Sequence, residues 1–141
     1  MEKKLFSWQI PKKEVETIKN TILNNGYKRV GKDNHHYKGA ITTLYEKEIV
    51  TTKINSKIQI LLSFKETCIY DVYHQGLGIR TVKEEPCPDS TFYRNLGISI
   101  SNLDRDDITE INDEVNRIEE ILYRKLLEVA GEENVVRGER R

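Results

Sequence analysis

The order of apolar and polar positions predicts a helix near the start of the chain. Val15, Ile18 and Ile22 are spaced three or four residues apart, which places them on one face of a helix. Gly26, which follows two asparagines, can adopt the left-handed conformation that ends a helix. We therefore expect a helix over residues 12–25.

After this helix the apolar spacing changes to about two residues, which indicates β-strands. In the clearest run, Ile58, Ile60, Leu62 and Phe64 alternate with mainly polar residues, so one sheet face belongs to the core and the other is available. Short connections rich in turn-forming residues favour antiparallel neighbours, and hence a β-meander. The predicted strands are 27–30, 38–46, 48–54, 57–65, 67–74, 77–83 and 91–101.

A long second helix is predicted after the strands. Asp104 can cap its start and Gly131 can end it. Five apolar residues follow a 3, 4, 3, 4 spacing, which is typical of a helix packed along a partner. They are Ile108, Ile111, Val115, Ile118 and Leu122. This pattern fits two arrangements, packing across the sheet of the same chain or a homodimer contact.

Together these elements predict a single α+β domain over residues 1–130. Its N-terminal helix and antiparallel β-meander are followed by a long C-terminal amphipathic helix, packed on the sheet or in a dimer. Residues 131–141 are expected to form a flexible polar tail. The length of 141 residues agrees with one domain, because chains of this size seldom divide into two cores.

The sequence predicts neither a membrane span nor an export signal. The longest apolar run, residues 58–64, is far shorter than the roughly 20 residues that a span needs. The first residues lack an apolar signal region. We therefore expect a cytoplasmic protein that has no membrane partner. The abundance of Lys and Glu resembles thermophile proteins, and it leaves open whether Cys68 and Cys87 are free thiols or form a disulfide.

The net charge of zero hides an uneven distribution of charge. Residues 1–65 carry 13 Lys and Arg against 6 Asp and Glu, whereas residues 66–141 carry 10 against 17. One interpretation is a solvated surface with internal salt links. The other is a basic face for an anionic partner, built mainly from the first half of the chain.

No motif for catalysis or metal binding emerges from the residue spacing. His35 and His36 are adjacent, and the chain has no Cys or His pair at the spacing that zinc sites use. His74, Asp89 and Ser90 lack the sharp turn that exposes a nucleophilic serine. A non-catalytic protein without metal or cofactor is therefore favoured.

Several tyrosines have basic neighbours in sequence, as in Tyr27-Lys28-Arg29, Tyr37-Lys38 and Tyr93-Arg94. Single-stranded nucleic acid is held by rings that stack on bases and by cations that meet phosphates, so this pattern predicts a site for single-stranded DNA or RNA. Tyr70 and Tyr73 fall on opposite faces of one strand, so only one of them can belong to the binding surface. The candidate residues are Tyr45, Lys53, Lys57, Tyr70, Tyr73, Arg80, Lys83, Tyr93 and Arg94. The alternative is that most of these tyrosines are half-buried sheet residues.

Residues 92–122 resemble the last strand and helix of small single-strand DNA-binding proteins. Tyr93-Arg94-Asn95-Leu96-Gly97-Ile98-Ser99-Ile100 reads as a glycine-bearing strand, and Leu103-Asp104-Arg105-Asp106-Asp107-Ile108 leads into the helix. This order is similar to the positive-cofactor-four coactivators and related archaeal and viral proteins. The resemblance implies a sheet that contacts the single strand, helices that form a dimer, and an archaeal or viral origin, in which case the cytoplasm is that of the host.

A second functional class is compatible with the acids of the predicted C-terminal helix. The protein could be a small effector or inhibitor from a virus or mobile element, for example one directed against host defence, whose acidic helix meets a basic protein. The acids concerned are Asp106, Asp107, Glu110, Asp113, Glu114, Glu119, Glu120 and Glu128.

Overall fold

The computed structural model describes residues 2–8, 12–35, 40–51, 55–65, 67–74, 76, 78–86, 96–102 and 109–137. The α+β class is confirmed, with an N-terminal helix, antiparallel strands and a long C-terminal helix. The strands are β1 (Glu2–Trp8), β2 (Lys28–His35), β3 (Ala40–Val50), β4 (Asn55–Lys65), β5 (Thr67–His74), β6 (Ile79–Pro86), β7 (Leu96–Asn102) and β8 (Val135–Arg137). The α-helices are α1 (Val15–Asn24) and α2 (Thr109–Ala130).

Six of the strands form one antiparallel sheet in the order β2-β3-β4-β7-β1-β8. The predicted meander is therefore correct for β2, β3 and β4 only, because β7 and not β5 pairs with the far edge of β4. Strands β5 and β6 form a separate two-stranded antiparallel sheet. Gly78, with φ of +64°, lies in the turn between them, which agrees with a hairpin at this point.

The core lies between the two helices and one face of the large sheet. Helix α1 buries Val15, Ile18 and Ile22 because their spacing aligns them on one side. The sheet supplies the alternating set Ile58, Ile60, Leu62 and Phe64 from β4, none more than 1% exposed. Burial of each such side chain stabilises the fold by about 1.5–3 kcal/mol relative to exposure. The predicted alternation of β4 is therefore confirmed.

The apolar stripe of α2 packs inside the single chain. Ile111, Val115, Ile118 and Leu122 are between 0% and 7% exposed, and they belong to the same buried cluster as the sheet residues. Helix α2 contacts β1, β4, β7, β8 and α1. Of the two arrangements predicted for the stripe, these four residues adopt packing on the sheet, and a dimer built on them would have to withdraw them from this core. Ile108 lies outside the described residues.

Four strands differ from the sequence prediction. Strand β2 continues to His35, although a strand was expected there only over residues 27–30. Strand β1 pairs with β7 and β8, partners that are distant in sequence, and no strand was expected there. Strand β3 runs unbroken through Lys47, where two strands were expected. Residues 135–137, expected in a polar tail, form β8 against β1. No helix in the described ranges combines the length and apolarity needed to cross a bilayer.

Candidate functional site

A cavity of about 390 Å³ opens where the turn after α1 meets the ends of β2, β3 and β4. Its charged lining consists of four cations and two carboxylates, and two of the cations, Arg29 and Lys47, are paired with acids outside the lining, Asp33 and Glu114. The lining residues are Gly26, Lys28, Arg29, Val30, Glu46, Lys47, Glu48 and Lys57. This concentration of cations in one concave region makes the cavity the strongest candidate site in the described part of the chain.

Strand register places the charges of the cavity on neighbouring strands. Lys28 of β2 lies opposite Glu46 of β3, and Glu48 of β3 lies opposite Lys57 of β4. These positions alternate with the buried ones, so they lie on the outer face of the sheet. Lys57 Nζ is 3.8 Å from Glu46 Oε1, and both side chains remain partly exposed. The ion pair is therefore long and open to water, and the Lys57 ammonium group is available to another anion.

Lys28 and Glu48 are the two charged residues of the lining that have no ionic partner in the described parts of the structure. Arg29 donates from Nη2 to Asp33 Oδ1 at 2.8 Å, and its side chain is 48% exposed. Because guanidinium has five N–H donors, this contact leaves most of them free. Lys28 and Lys57 can each reach a ligand from the outer sheet face, whereas Arg29 lies opposite the buried Tyr45 and points to the other face.

The turn that lines the cavity needs glycine. Gly26 has a φ of +90°, a conformation that costs other residues about 1–2 kcal/mol. A Cβ atom at this position would lie 3.4 Å from Lys47 Cε. This distance is an ordinary van der Waals contact, so the positive φ, and not a lack of space, is what favours glycine at this position.

Lys47 connects the cavity to helix α2. Its Nζ atom lies 3.0 Å from Glu114 Oε1 and 5.6 Å from the centre of the Tyr27 ring. Tyr27 Oη also donates to Glu114 Oε1, at 3.2 Å, and Arg117 donates to both carboxylate oxygens, at 2.6 and 2.8 Å. Asn25 extends this cluster, because Arg117 Nη1 donates to its Oδ1 atom at 3.2 Å.

The protonation of this cluster follows from burial and charge. Burial alone would raise the pKa of Glu114, but hydrogen bonds from Arg117 and Lys47 lower the pKa below its ordinary value. Burial, followed by the charge of Glu114 and the hydrogen bond to it, raises the pKa of the Tyr27 hydroxyl above its ordinary value. At neutral pH the cluster therefore contains an ionised carboxylate, two cations and a neutral phenol.

Most acids on α2 are paired within the chain. Glu114 contacts Lys47 and Arg117, and Glu119, only 3% exposed, accepts a hydrogen bond from Arg137 Nη2 at 2.8 Å. Glu120 and Glu128 also have cationic partners, Arg124 at 3.1 Å and Lys125 at 3.2 Å. Among the described acids of the helix, Glu110 and Asp113 are the two without an ion pair.

The structure brings one of the predicted nucleic-acid-binding residues, Lys57, to the cavity. Tyr45 requires a correction, because its side chain is 2% exposed and lies opposite Ile60 on the core face of the sheet. Its ring is therefore closed to a base, and burial raises the pKa of Tyr45 to about 12.

The remaining predicted residues lie elsewhere. In the hairpin of β5 and β6, backbone register places Tyr70 opposite Lys83 and Tyr73 opposite Arg80. Lys53, Tyr93 and Arg94 lie outside the described residues, as does Cys87.

Three lining cations were not among the predicted site residues: Lys28, Arg29 and Lys47. The sequence contained a signal for two of them, because Tyr27 is followed directly by Lys28 and Arg29. Adjacent strand residues point to opposite faces, so that signal could not place the cations together. The described residues contain no group of three or more His, Cys, Asp or Glu side chains arranged to hold a metal ion.

Comparisons with known proteins add no relative: no family model, curated protein or solved structure matches this chain.

Proposed function

We propose that this chain is a non-catalytic protein that binds single-stranded nucleic acid. The observation that carries the proposal is the cavity at the ends of β2, β3 and β4, whose outer face offers Lys28, without an ion pair in the described residues, and Lys57, with a long one. Lys28 and Lys57 are each exposed enough to contact phosphate oxygens. Phosphate contacts of this kind supply affinity that does not depend on base sequence.

The hairpin of β5 and β6 is the proposed stacking element. Its register sets an aromatic residue opposite a cation at two positions, Tyr70 with Lys83 and Tyr73 with Arg80. A ring that stacks on a base contributes about 1–3 kcal/mol, and a neighbouring cation adds a phosphate contact. Lys53, Tyr93 and Arg94 remain proposed contacts because the sequence pattern predicts them.

The resemblance of residues 92–122 to positive-cofactor-four coactivators and to archaeal and viral single-strand-binding proteins supports the same class of ligand. A cytoplasmic location, in the host if the protein is viral, and an archaeal or viral origin belong to this proposal. A homodimer would use surfaces other than the buried stripe of α2.

The rival proposal, an effector that meets a basic protein through an acidic helix, has weaker support. Four of the six described acids on α2 have cationic partners within the chain, which leaves Glu110 and Asp113. A basic partner would therefore meet few unpaired charges. The observation that favours the effector proposal is that two acids, Glu46 and Glu48, lie among the cations of the outer sheet face.

Equilibrium titration of labelled single-stranded and double-stranded oligonucleotides of the same sequence tests the proposal. We expect tighter binding of the single strand, because bases must be free to stack. Tyr70 and Tyr73 are expected on opposite faces of the hairpin, so only one of them can stack on a base. Replacement of that tyrosine by alanine should weaken binding by about tenfold at every salt concentration. Replacement of the other tyrosine should leave binding nearly unchanged. Equal affinity for single-stranded and double-stranded oligonucleotides, or unchanged binding in both tyrosine variants, would contradict the stacking of bases on the hairpin.

A further inference from the structure

We infer that the cavity binds the terminal phosphate of a single strand, together with the nucleotide that carries it. This inference rests on the proposed function and assigns a ligand class to the same site. It starts from the charges of the cavity that are not already engaged by other parts of the chain.

Two cations of the lining are available, one on each of the strands β2 and β4 that flank β3. Lys28 has no carboxylate partner in the described ranges, and Lys57 has a long contact of 3.8 Å with Glu46. Lys47, by contrast, is held by Glu114 at 3.0 Å. Two available ammonium groups match the charge of a phosphate monoester, which is close to −2 at neutral pH, better than the single charge of an internal phosphodiester.

The shape of the cavity also favours a strand end. The strand continues on both sides of an internal phosphodiester, so it would have to run into the concave site and out again. A terminal phosphate has the strand on one side only. A volume of about 390 Å³ lies in the range of small-molecule sites and exceeds what a phosphate alone would fill. The remaining space can hold the sugar of the terminal nucleotide.

The carboxylate of Glu48 indicates that the ligand carries a hydrogen-bond donor in addition to its negative charge. Its carboxylate lines the cavity without an ion pair in the described structure, and it would repel a bare phosphate. A carboxylate is also a strong acceptor for hydroxyl donors. A terminal nucleotide presents phosphate oxygens to Lys28 and Lys57 and can present a sugar hydroxyl to Glu48, so it satisfies both kinds of charge.

One oligonucleotide prepared with no terminal phosphate, with a 5′-phosphate and with a 3′-phosphate tests this inference by competition titration. One phosphorylated form should bind about tenfold more tightly than the unmodified strand, since charge-assisted contacts of this kind are worth a factor of that order. The preference should decline as pH falls below about 6, where the monoester takes up a proton. Equal affinity of all three forms would overturn the inference and leave the proposed function intact.

Variants identify the cavity as the source of the preference. Lys28→Ala combined with Lys57→Ala changes two exposed side chains and should abolish the preference without lowering the melting temperature by more than a few degrees. Arg124→Ala removes a cation that is 77% exposed and does not line the cavity, so it should retain the preference. A preference that survives in the double variant would place the terminal phosphate elsewhere and contradict the inference.

Binding measurements with a nucleoside monophosphate and with inorganic phosphate distinguish a failure of this inference from a failure of the proposed function. If no oligonucleotide binds but the monophosphate binds and the double variant loses it, the cavity is a nucleotide site and the proposed function is wrong. If inorganic phosphate competes as well as the monophosphate, the assignment of Glu48 to a sugar hydroxyl is wrong. If neither small ligand nor any strand binds, both proposals fail.

Discussion

Lys47 and Glu114 are 67 positions apart in sequence, and the Lys47 Nζ atom lies 3.0 Å from Glu114 Oε1. This contact ties the end of β3 to helix α2 immediately beside the cavity. Because Lys47 also lines the cavity, the packing of the helix helps to set the charge that a ligand meets. Glu114 is thus a structural residue with an electrostatic influence on the proposed site.

Replacement of Glu114 by Gln should reduce the free energy of unfolding by about 1–3 kcal/mol at pH 7, because Tyr27, Lys47 and Arg117 lose a charged acceptor. The pKa of Glu114 is lowered in the folded state, so its contribution is present above its ordinary value and is lost as pH falls through the folded value. Urea unfolding should therefore show a wild-type advantage at pH 7 that shrinks toward pH 3.

The matched control is Glu128→Gln, which removes a carboxylate that is 69% exposed and pairs with Lys125 at 3.2 Å. Exposed pairs contribute about 0–1 kcal/mol, so this variant should differ little from wild type. Equal losses in the two variants would show that the buried cluster has no special stability.

Arg137→Ala should destabilise the protein more than Arg124→Ala. Arg137 donates to Glu119, whose side chain is 3% exposed, and its guanidinium lies 4.6 Å from the centre of the Tyr123 ring. Removal of the guanidinium weakens the pairing of a buried carboxylate and should lower the free energy of unfolding by about 1–3 kcal/mol. Chemical denaturation measures both variants. A difference below about 0.5 kcal/mol would mean that β8 contributes little to the fold.

Ile118→Asp should unfold the monomer and not merely dissociate a dimer. Ile118 is fully buried within the single chain, so a carboxylate there would lack both water and a partner. Circular dichroism should show loss of the cooperative transition, while Leu23→Asp, at a position 44% exposed, should stay folded. A folded Ile118→Asp protein of half the wild-type mass in light scattering would instead restore the dimer interpretation of the stripe.

Alkaline titration should identify Tyr27 and Tyr45 as late-titrating tyrosines. The pKa of Tyr27 is raised, and burial raises that of Tyr45 to about 12. A raised folded pKa means that the stability due to these phenols is present below the unfolded value, about 10, and is lost as pH rises above it. Tyrosinate absorbance should therefore show at least two late-titrating groups, and one fewer in Tyr45→Phe than in wild type. Titration of all seven tyrosines near pH 10 in the folded protein would contradict the burial of Tyr27 and Tyr45.

The helices and β4 could be predicted because their information is local. The spacing of Val15, Ile18 and Ile22 and the alternation from Ile58 to Phe64 each define a buried face from the sequence alone. Strand β1 could not be predicted in this way. Its pairing with β7 and β8 depends on segments about 90 and 130 residues away.

Charged residues account for the other differences. The predicted strands 38–46 and 48–54 leave a gap at Lys47, yet β3 runs through it, and Glu114 and the Tyr27 ring provide the Lys47 ammonium group with partners beside the core. Glu119 was grouped with the acids of an exposed helix face, yet Arg137 provides it with a partner from the segment expected to be a tail. Pairings of this kind follow from tertiary contacts and leave no periodic signal.

The site was only partly predictable for the same reason. Lys57 was identified as a binding residue, but its association with Lys28 and Arg29 arises from the register of three strands and from the turn at Gly26. Tyr45 was misassigned, although its alternation with Ile41 and Thr43 on one side of β3 indicated the buried face.

The salt dependence of single-strand binding by wild type and by the Lys28→Ala, Lys57→Ala double variant tests the central claim most directly. Each lost phosphate contact should reduce the slope of log K against log salt by roughly 0.7 for a single strand, so the double variant should lose about 1.4. Arg124→Ala, which changes a cation outside the cavity, should keep the wild-type slope. Absence of affinity in wild type at low salt, or an unchanged slope in the double variant, would contradict the account.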